Sequence, residues 1–212
     1  EINKKMKNSA LLYNEIGRTY IAKNEIDLAF IKLKEGLTKF PNDGKLMRSM
    51  IDVLQKLSEI EKDPTKLEDA LRICNRGLNN NPNEKRFASN KIILSFNLKK
   101  YNESIQYIEE FQKKYPRDFL EPMFTFKSGV TSVALISSQT YNFEARRILF
   151  NSISENPVDY KITKQKTLKD NPKIEEFFEK SNNLIDDSLK IFTNYDMQFW
   201  LVLKLQNLKF LE

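Results

Sequence analysis

The fold is decided by residues 10–41, which read ALLYNEIGRTYIAKNEIDLAFIKLKEGLTKFP. Small residues stand in this stretch at Gly17 and Ala29, among large apolar residues that recur at helical spacing. The large residues are Tyr13, Ile16, Tyr20 and Leu33. We therefore expect two helices that approach closely at the small residues and are filled in by the large ones.

Three later segments end in the same way, with an amphipathic stretch that is stopped by proline and followed by polar residues. The four prolines are Pro41, Pro82, Pro116 and Pro157, at spacings of 41, 34 and 41 residues. Proline disfavours the helical conformation in the residue before it, so each one marks the end of a helix. The outer spacings exceed the middle one by about two helical turns, which lengthens a helix pair without rotating its apolar face.

The first segment resembles the tetratricopeptide repeat, which has a period of about 34 residues. The resemblance rests on Tyr13, Ile16, Gly17, Tyr20, Ala29, Leu33, Gly36 and Pro41. Later segments keep Ala70, Cys74, Gly77, Tyr101, Ser104, Ile108, Ala145, Leu149 and Ser152. It implies an all-α solenoid of about four helix-turn-helix units in a right-handed superhelix. The expected units are residues 10–43, 44–83, 84–117 and 118–157.

Two features depart from the repeat pattern. Phe111 stands where a small residue is usual, and the first helix of the fourth unit, expected from about Phe119 to Gln139, is longer than the usual one.

We expect residues 158–173 to form a solvated basic linker, because this segment has five lysines and only two aspartates. Residues 174–212 are expected to form C-terminal helices, either a cap on the fourth unit or a partial fifth repeat.

Composition argues against catalysis. The chain has no histidine, which excludes a Ser–His–Asp triad, a Cys–His nucleophile and a zinc site with imidazole ligands. Its one cysteine, Cys74, cannot form an internal disulfide and is expected to pack as a small apolar residue. Glycine-rich phosphate loops are missing from the sequence. We therefore expect a protein that is not an enzyme, with no cofactor, metal or small-molecule substrate.

The compartment stays open between cytoplasm and periplasm. Apolar runs are too short to cross a bilayer, but the sequence begins with Glu1, so we allow for a preceding signal peptide or lipid anchor that would bring the protein near a membrane. The heavy use of Lys, Asn, Ile and Phe is typical of AT-rich bacterial genomes.

The resemblance also implies a partner and a site. Tetratricopeptide arrays bind an extended peptide or a helix in a groove lined by the first helix of each pair. The matching positions here are Asn14, Arg18, Lys45, Arg48, Asp52, Arg86, Asn90 and Asn97. Four are basic and one is acidic, which suits an acidic segment or a terminal carboxylate. The set does not reproduce the clamp that binds chaperone C-termini, since Ser49 replaces its second-repeat asparagine.

Two other functions remain open. The apolar C-terminal segment could dock a partner subunit or a second copy of the chain, through Phe199, Trp200, Leu203 and Phe210. The net charge of +6 could attract nucleic acid or a membrane surface. That reading is weaker, because 29 acidic residues are interspersed with 35 basic ones. For groove binding, charge reversal at Arg48 and Arg86 should weaken capture much more than reversal at Lys164 and Lys166.

Overall fold

The computed structural model describes residues 9–119, 122–126, 129–154, 160–191 and 203–208. Its helices are α1 (Ala10–Ala22), α2 (Ile26–Lys39), α3 (Gly44–Glu61), α4 (Thr65–Asn80), α5 (Lys85–Asn97), α6 (Tyr101–Lys114), α7 (Val133–Ser154), α8 (Tyr160–Asp170) and α9 (Pro172–Ile191). Two strands, β1 (Pro122–Phe126) and β2 (Gly129–Ser132), lie between α6 and α7. A short helical segment covers residues 203–208. The chain divides into unit 1, residues 1–99, and unit 2, residues 100–212.

Unit 1 is built from successive helix pairs, which confirms the predicted all-α repeat architecture. α1 packs on α2, α3 packs on α4, and each pair packs on the next element in the chain. A continuous apolar core runs through the layers, from Ile26 and Leu33 through Met47 and Leu54 to Phe87. Each layer therefore buries its apolar side chains against its neighbours.

The proline segments mark the helix ends as expected, and the polar residues behind them start the next helix. α2 ends at Lys39, directly before Phe40 and Pro41. Asp43 then accepts hydrogen bonds from the backbone N–H groups of Lys45 (3.0 Å) and Leu46 (2.9 Å). Glu84, two residues after Pro82, caps α5 in the same way. The short motif of proline followed by a capping acid thus both ends one helix and begins the next.

The seven extra residues of the second unit lie within its helices. α3 has 18 residues where α1 has 13, and α4 has 16 where α2 has 14. α5 and α6 return to 13 and 14 residues. The second layer is therefore a longer pair of the same kind.

A backbone feature recurs with the repeat, although no side-chain pattern announces it. Asn24, Lys62 and Lys99 have φ values of 61°, 57° and 59°. They lie just after α1, α3 and α5 respectively. The left-handed conformation closes a helix end, and after α1 and α3 it turns the chain toward the second helix of the pair.

Close packing at the small residues is confirmed. A Cβ atom built on Gly17 would lie 2.6 Å from the Leu33 side chain, and one built on Gly77 would lie 2.6 Å from the Phe87 ring. Both distances are shorter than van der Waals contact. Gly17 thus admits the second helix of its own layer, and Gly77 admits the first helix of the next.

Replacing Gly77 with alanine is expected to destabilise the fold by about 1–3 kcal/mol, although alanine is the better helix former. The Phe87 ring is fully buried, so it must shift within the core to admit the methyl group. Gly44→Ala is the matched control, because its Cβ would meet nothing closer than 3.9 Å. Urea denaturation followed by circular dichroism measures both variants. Equal stability for the two would contradict close packing at Gly77.

Unit 2 departs from the predicted fourth repeat. Residues 122–132 form an antiparallel hairpin, in which Thr125 pairs with Val130 and Phe126 with Gly129. The helix expected from about Phe119 to Gln139 therefore begins only at Val133. It then continues to Ser154 without a break, as the single 22-residue helix α7. One long helix thus replaces the helix pair expected there.

The predicted basic linker is also corrected, because residues 160–170 form helix α8. Thr167 is buried and Leu168 is half-buried, so one side of this lysine-rich helix is covered. Leu168 packs on a small core of unit 2 that α7 and α9 supply. Its fully buried members are Ala145, Leu149, Ile174 and Phe178.

The segment 203–208 is attached to α7 and α9 mainly by polar contacts. Asn207 is fully buried and hydrogen-bonds Asn142 of α7. Its amide donates to Ser181 Oγ at 3.1 Å and to Asn182 Oδ1 at 3.0 Å, both on α9. Lys204 pairs with Asp186 of α9 at 2.5 Å. The segment thus lies on α7 and α9 of unit 2.

Candidate functional site

The predicted groove residues all belong to unit 1, on its first helices α1, α3 and α5. The structure corrects the prediction for one of them, Asn14. Asn14 is 3% exposed, and its Oδ1 accepts a hydrogen bond of 2.7 Å from Ser49 Oγ. This buried contact joins α1 to α3 and leaves Asn14 covered, so it does not line a groove. Ser49 is 7% exposed and equally covered.

A charged stripe runs along α3. Lys45, Arg48, Asp52 and Lys56 follow one another at intervals of three and four residues, which places them on one face of the helix. Lys45 and Asp52 are exposed, and Arg48 and Lys56 are half-buried. The stripe therefore presents three cations and one carboxylate to solvent.

Cations from the neighbouring first helices converge on this stripe. Asp52 feels the positive charges of Lys56, Arg86, Arg48 and Arg18, which come from α1, α3 and α5. Surrounding protein atoms, which exclude part of the water, raise the pKa of Asp52 to about 6, and the four cations oppose this rise. Because this pKa lies below 7, the carboxylate is mostly ionised at neutral pH. The Asp52 side chain is also accessible to solvent.

Arg48 also has a structural role. Its guanidinium lies 3.1 Å from the Glu84 carboxylate and 6.0 Å from the centre of the Phe87 ring. Glu84 in turn accepts a hydrogen bond from the Arg86 backbone N–H, which starts α5. Arg48 thus fastens α3 to the beginning of α5, and part of its charge is already compensated.

The remaining predicted residues are more accessible. Arg18 is exposed and lies 3.6 Å from Glu15 on its own helix. Arg86 and Asn97 are exposed, and Asn90 is half-buried. We call the set of charged residues on α1, α3 and α5 the first-helix face. Its members are Arg18, Lys45, Arg48, Asp52, Lys56 and Arg86.

Solved structures of similar shape share the architecture. A tetratricopeptide repeat protein from Parabacteroides merdae matches with a TM-score of 0.51 at 14% identity, over 94% of this chain and 84% of that one. YrrB, a TPR protein with an unusual peptide-binding site, matches with a TM-score of 0.50 at 12% identity, over 97% and 95%. The chain has a tetratricopeptide-repeat fold.

A third structure with this fold-level similarity is that of a protein from Bacteroides ovatus. Its TM-score is 0.55 at 11% identity, and the match covers 96% of this chain and all of that one. No protein-family model matches the sequence. No curated protein matches it either. The tetratricopeptide fold is thus recognised from the structure, at sequence identities of 11–14% where the sequence comparisons found no match.

Lys56 is the member of the first-helix face that sequence reasoning missed. The predicted groove positions on α3 stop at Asp52, whereas the helix continues to Glu61. Extending the spacing of Lys45, Arg48 and Asp52 by one further helical turn would have found Lys56.

The predicted C-terminal interface is only partly described. Phe199, Trp200 and Phe210 lie outside the described residues. Leu203 is 9% exposed, so the chain itself covers it. Leu205 and Leu208, which the prediction did not include, are 58% and 42% exposed. An interface at this end remains a prediction, but Leu203 is a packing residue.

The described residues offer little for chemistry. Cys74 is fully buried, and burial raises the pKa of its thiol to about 12, which disfavours the reactive thiolate. In the part of the chain that the structure describes, no group of three or more acidic or cysteine side chains is placed to hold a metal ion. No described helix has both the length and the apolarity needed to cross a membrane.

Proposed function

We propose that this chain is a non-catalytic protein-interaction module that captures an extended acidic segment of a partner on the first-helix face. The carrying observation is the convergence of Arg18, Arg48, Lys56 and Arg86 from three helices around one accessible position. Guanidinium and ammonium groups spaced along successive layers can bind successive carboxylates of an extended peptide. YrrB, one of the solved structures with this fold, has an unusual peptide-binding site.

The electrostatic balance of the face favours an acidic guest. Its five cations outnumber Asp52, and only two of them have an acidic neighbour within ion-pair distance that the structure records, Arg18 with Glu15 and Arg48 with Glu84. Arg18 and Arg86 are exposed and lie on different helices, so both remain accessible to a ligand. Binding by such exposed charges weakens as salt is added.

Charge reversal tests the proposal. The double variant Arg18→Glu/Arg86→Glu should bind a fluorescein-labelled polyglutamate peptide at least about tenfold more weakly than the unchanged protein at low salt. Arg48 is left unchanged, because its contact with Glu84 also supports α5. Fluorescence anisotropy gives the dissociation constants, and circular dichroism checks that the variant is folded.

The control is Arg76→Glu/Lys166→Glu, which changes net charge equally at exposed positions on α4 and α8. It should weaken binding far less. If both double variants lose affinity equally, binding depends only on net charge and the proposed site is wrong. If the unchanged protein does not bind, the proposed acidic partner is wrong.

A further inference from the structure

Asp52 interrupts the cations of the first-helix face. It is accessible to solvent, yet among the described residues none donates a hydrogen bond to its carboxylate or lies within ion-pair distance of it. The four cations around it act from farther away. The carboxylate of Asp52 is therefore left to pair with a donor of a ligand.

Two of the four cations around Asp52 already have another acidic partner. Arg48 is compensated by Glu84 at 3.1 Å, and Arg18 by Glu15 at 3.6 Å. A carboxylate that served only to neutralise these cations would lie in direct contact with one of them. Asp52 instead stays exposed, with cations of α1, α3 and α5 acting on it from a distance.

An entirely acidic ligand can bind the cations of this face, but it is not the ligand that fits the face best. A ligand carboxylate directly opposite Asp52 would be repelled, while a basic side chain there would be attracted. Carboxylates on either side of that position would meet Arg18 on α1 and Arg86 on α5. The arrangement is thus complementary to a segment whose charges alternate in sign.

We infer that the first-helix face selects acidic segments that contain a basic residue, which pairs with Asp52 while flanking acidic residues pair with Arg18 and Arg86. This inference rests on the proposed function, since it specifies the ligand of the same face. Asp52 is then the residue that determines specificity. It discriminates against partners that are merely acidic.

The charge of Asp52 is adjustable, which adds a second observable. The groups that face it are Lys56 and Arg48 on its own helix, Arg18 on α1 and Arg86 on α5. Surrounding protein raises its pKa to about 6, so the carboxylate is mostly neutral near pH 5 and ionised above pH 7. Glutamate side chains of a ligand stay mostly ionised near pH 5, since their ordinary pKa is about 4.3. Selection for the basic residue should therefore weaken on acidification.

The neighbours on the other side of Asp52 do not titrate in that window. The buried Cys74 thiol of α4 has its pKa raised to about 12 and stays neutral. Lys91 of α5 also acts electrostatically on that thiol. The pH dependence would thus report Asp52 itself.

The test uses two fluorescein-labelled peptides of equal length that differ at one central position. Both carry glutamates on either side, and the central residue is lysine in one and glutamate in the other. At neutral pH and low salt, the unchanged protein should bind the lysine peptide about 3- to 10-fold more tightly, although that peptide is less acidic. Asp52→Asn should remove or reverse this preference. Asp27→Asn, on the exposed side of α2, should preserve it.

The outcomes separate the two proposals. A preference for the lysine peptide that is lost in Asp52→Asn and near pH 5 supports the inference. If both peptides bind and the glutamate peptide is preferred equally with and without Asp52, the inference is overturned and acidic-segment binding stands. If neither peptide binds, both proposals are overturned.

Discussion

Truncating Phe87 to alanine is expected to lower the free energy of unfolding by about 3–5 kcal/mol, as for other fully buried phenylalanines. The ring is 1% exposed. Phe87 belongs to α5, and its ring packs against α4 at Gly77. It fills the space left by Gly77 and lies beside the Arg48 guanidinium. Removing it leaves a cavity that the rigid helix pair cannot close. Urea denaturation followed by circular dichroism gives the measurement.

Ile60→Ala provides the comparison for Phe87→Ala. Ile60 is 63% exposed near the end of α3, so its truncation should change stability by less than about 0.5 kcal/mol. If Phe87→Ala cost no more than Ile60→Ala, the layers of unit 1 would not be held together at Gly77 as the structure indicates.

The second large effect is expected in unit 2, where Asn207→Leu should cost about 2–3 kcal/mol. The new side chain is similar in size but cannot hydrogen-bond. Asn142, Ser181 and Asn182 would each lose their contact with Asn207 while remaining buried. An unsatisfied buried polar group costs more than a hydrogen bond contributes. Thermal unfolding and hydrogen exchange at residues 203–208 would measure the change.

Leu208→Asn is the control for Asn207→Leu, because Leu208 is 42% exposed on the same segment. It should leave both the unfolding temperature and the exchange rates nearly unchanged. Faster exchange at residues 203–208 in Asn207→Leu alone is the expected result. Unchanged exchange in that variant would show that the polar contacts do not hold the segment in place.

Unit 1 could be predicted because its local signals and its packing agree. Proline followed by a capping acid sets the helix ends, and small residues such as Gly17 and Gly77 show where helices touch. These signals act within a few residues, or within one helix pair. The left-handed residues after the first helices could not be predicted, since Asn24, Lys62 and Lys99 share no side-chain type that requires this conformation.

The predicted fourth repeat is wrong, and the sequence departs from the repeat pattern just before it, at Phe111. Gly36 and Gly77 make room for Leu46 and Phe87, each on the first helix of the next layer. Phe111 occupies the equivalent position in α6 and is itself buried. A hairpin rather than a helix follows α6 along the chain. The departure from the small residue and the end of the repeat thus coincide.

The hairpin and α8 show the limits of charge and periodicity. Residues 122–126 and 129–132 are rich in aromatic and β-branched residues and are separated by two residues, which is typical of a hairpin. This pattern favours a hairpin over the continuous helix that was predicted there. The lysines of residues 160–170 suggested solvent exposure, but lysine is a good helix former. Burial of Thr167 shows that one side of α8 is covered.

For the candidate site, sequence identified most of the charged residues but could not tell which were free. Asn14 and Ser49 are 35 positions apart, and only their hydrogen bond across two layers shows that both are buried. Likewise, the Arg48–Glu84 pair joins residues 36 positions apart. Such contacts between layers join residues that are far apart in the sequence, and no local pattern announces them.

The central claim, capture of an acidic segment on the first-helix face, is tested most directly by nuclear magnetic resonance titration of the isotope-labelled protein with the lysine-centred acidic peptide. The expected shifts concentrate at Arg18 of α1, at Arg48 to Lys56 of α3 and at Arg86 of α5, with little change on α2 and α4. Shifts concentrated on α2 and α4 with α1, α3 and α5 unchanged would contradict the claim.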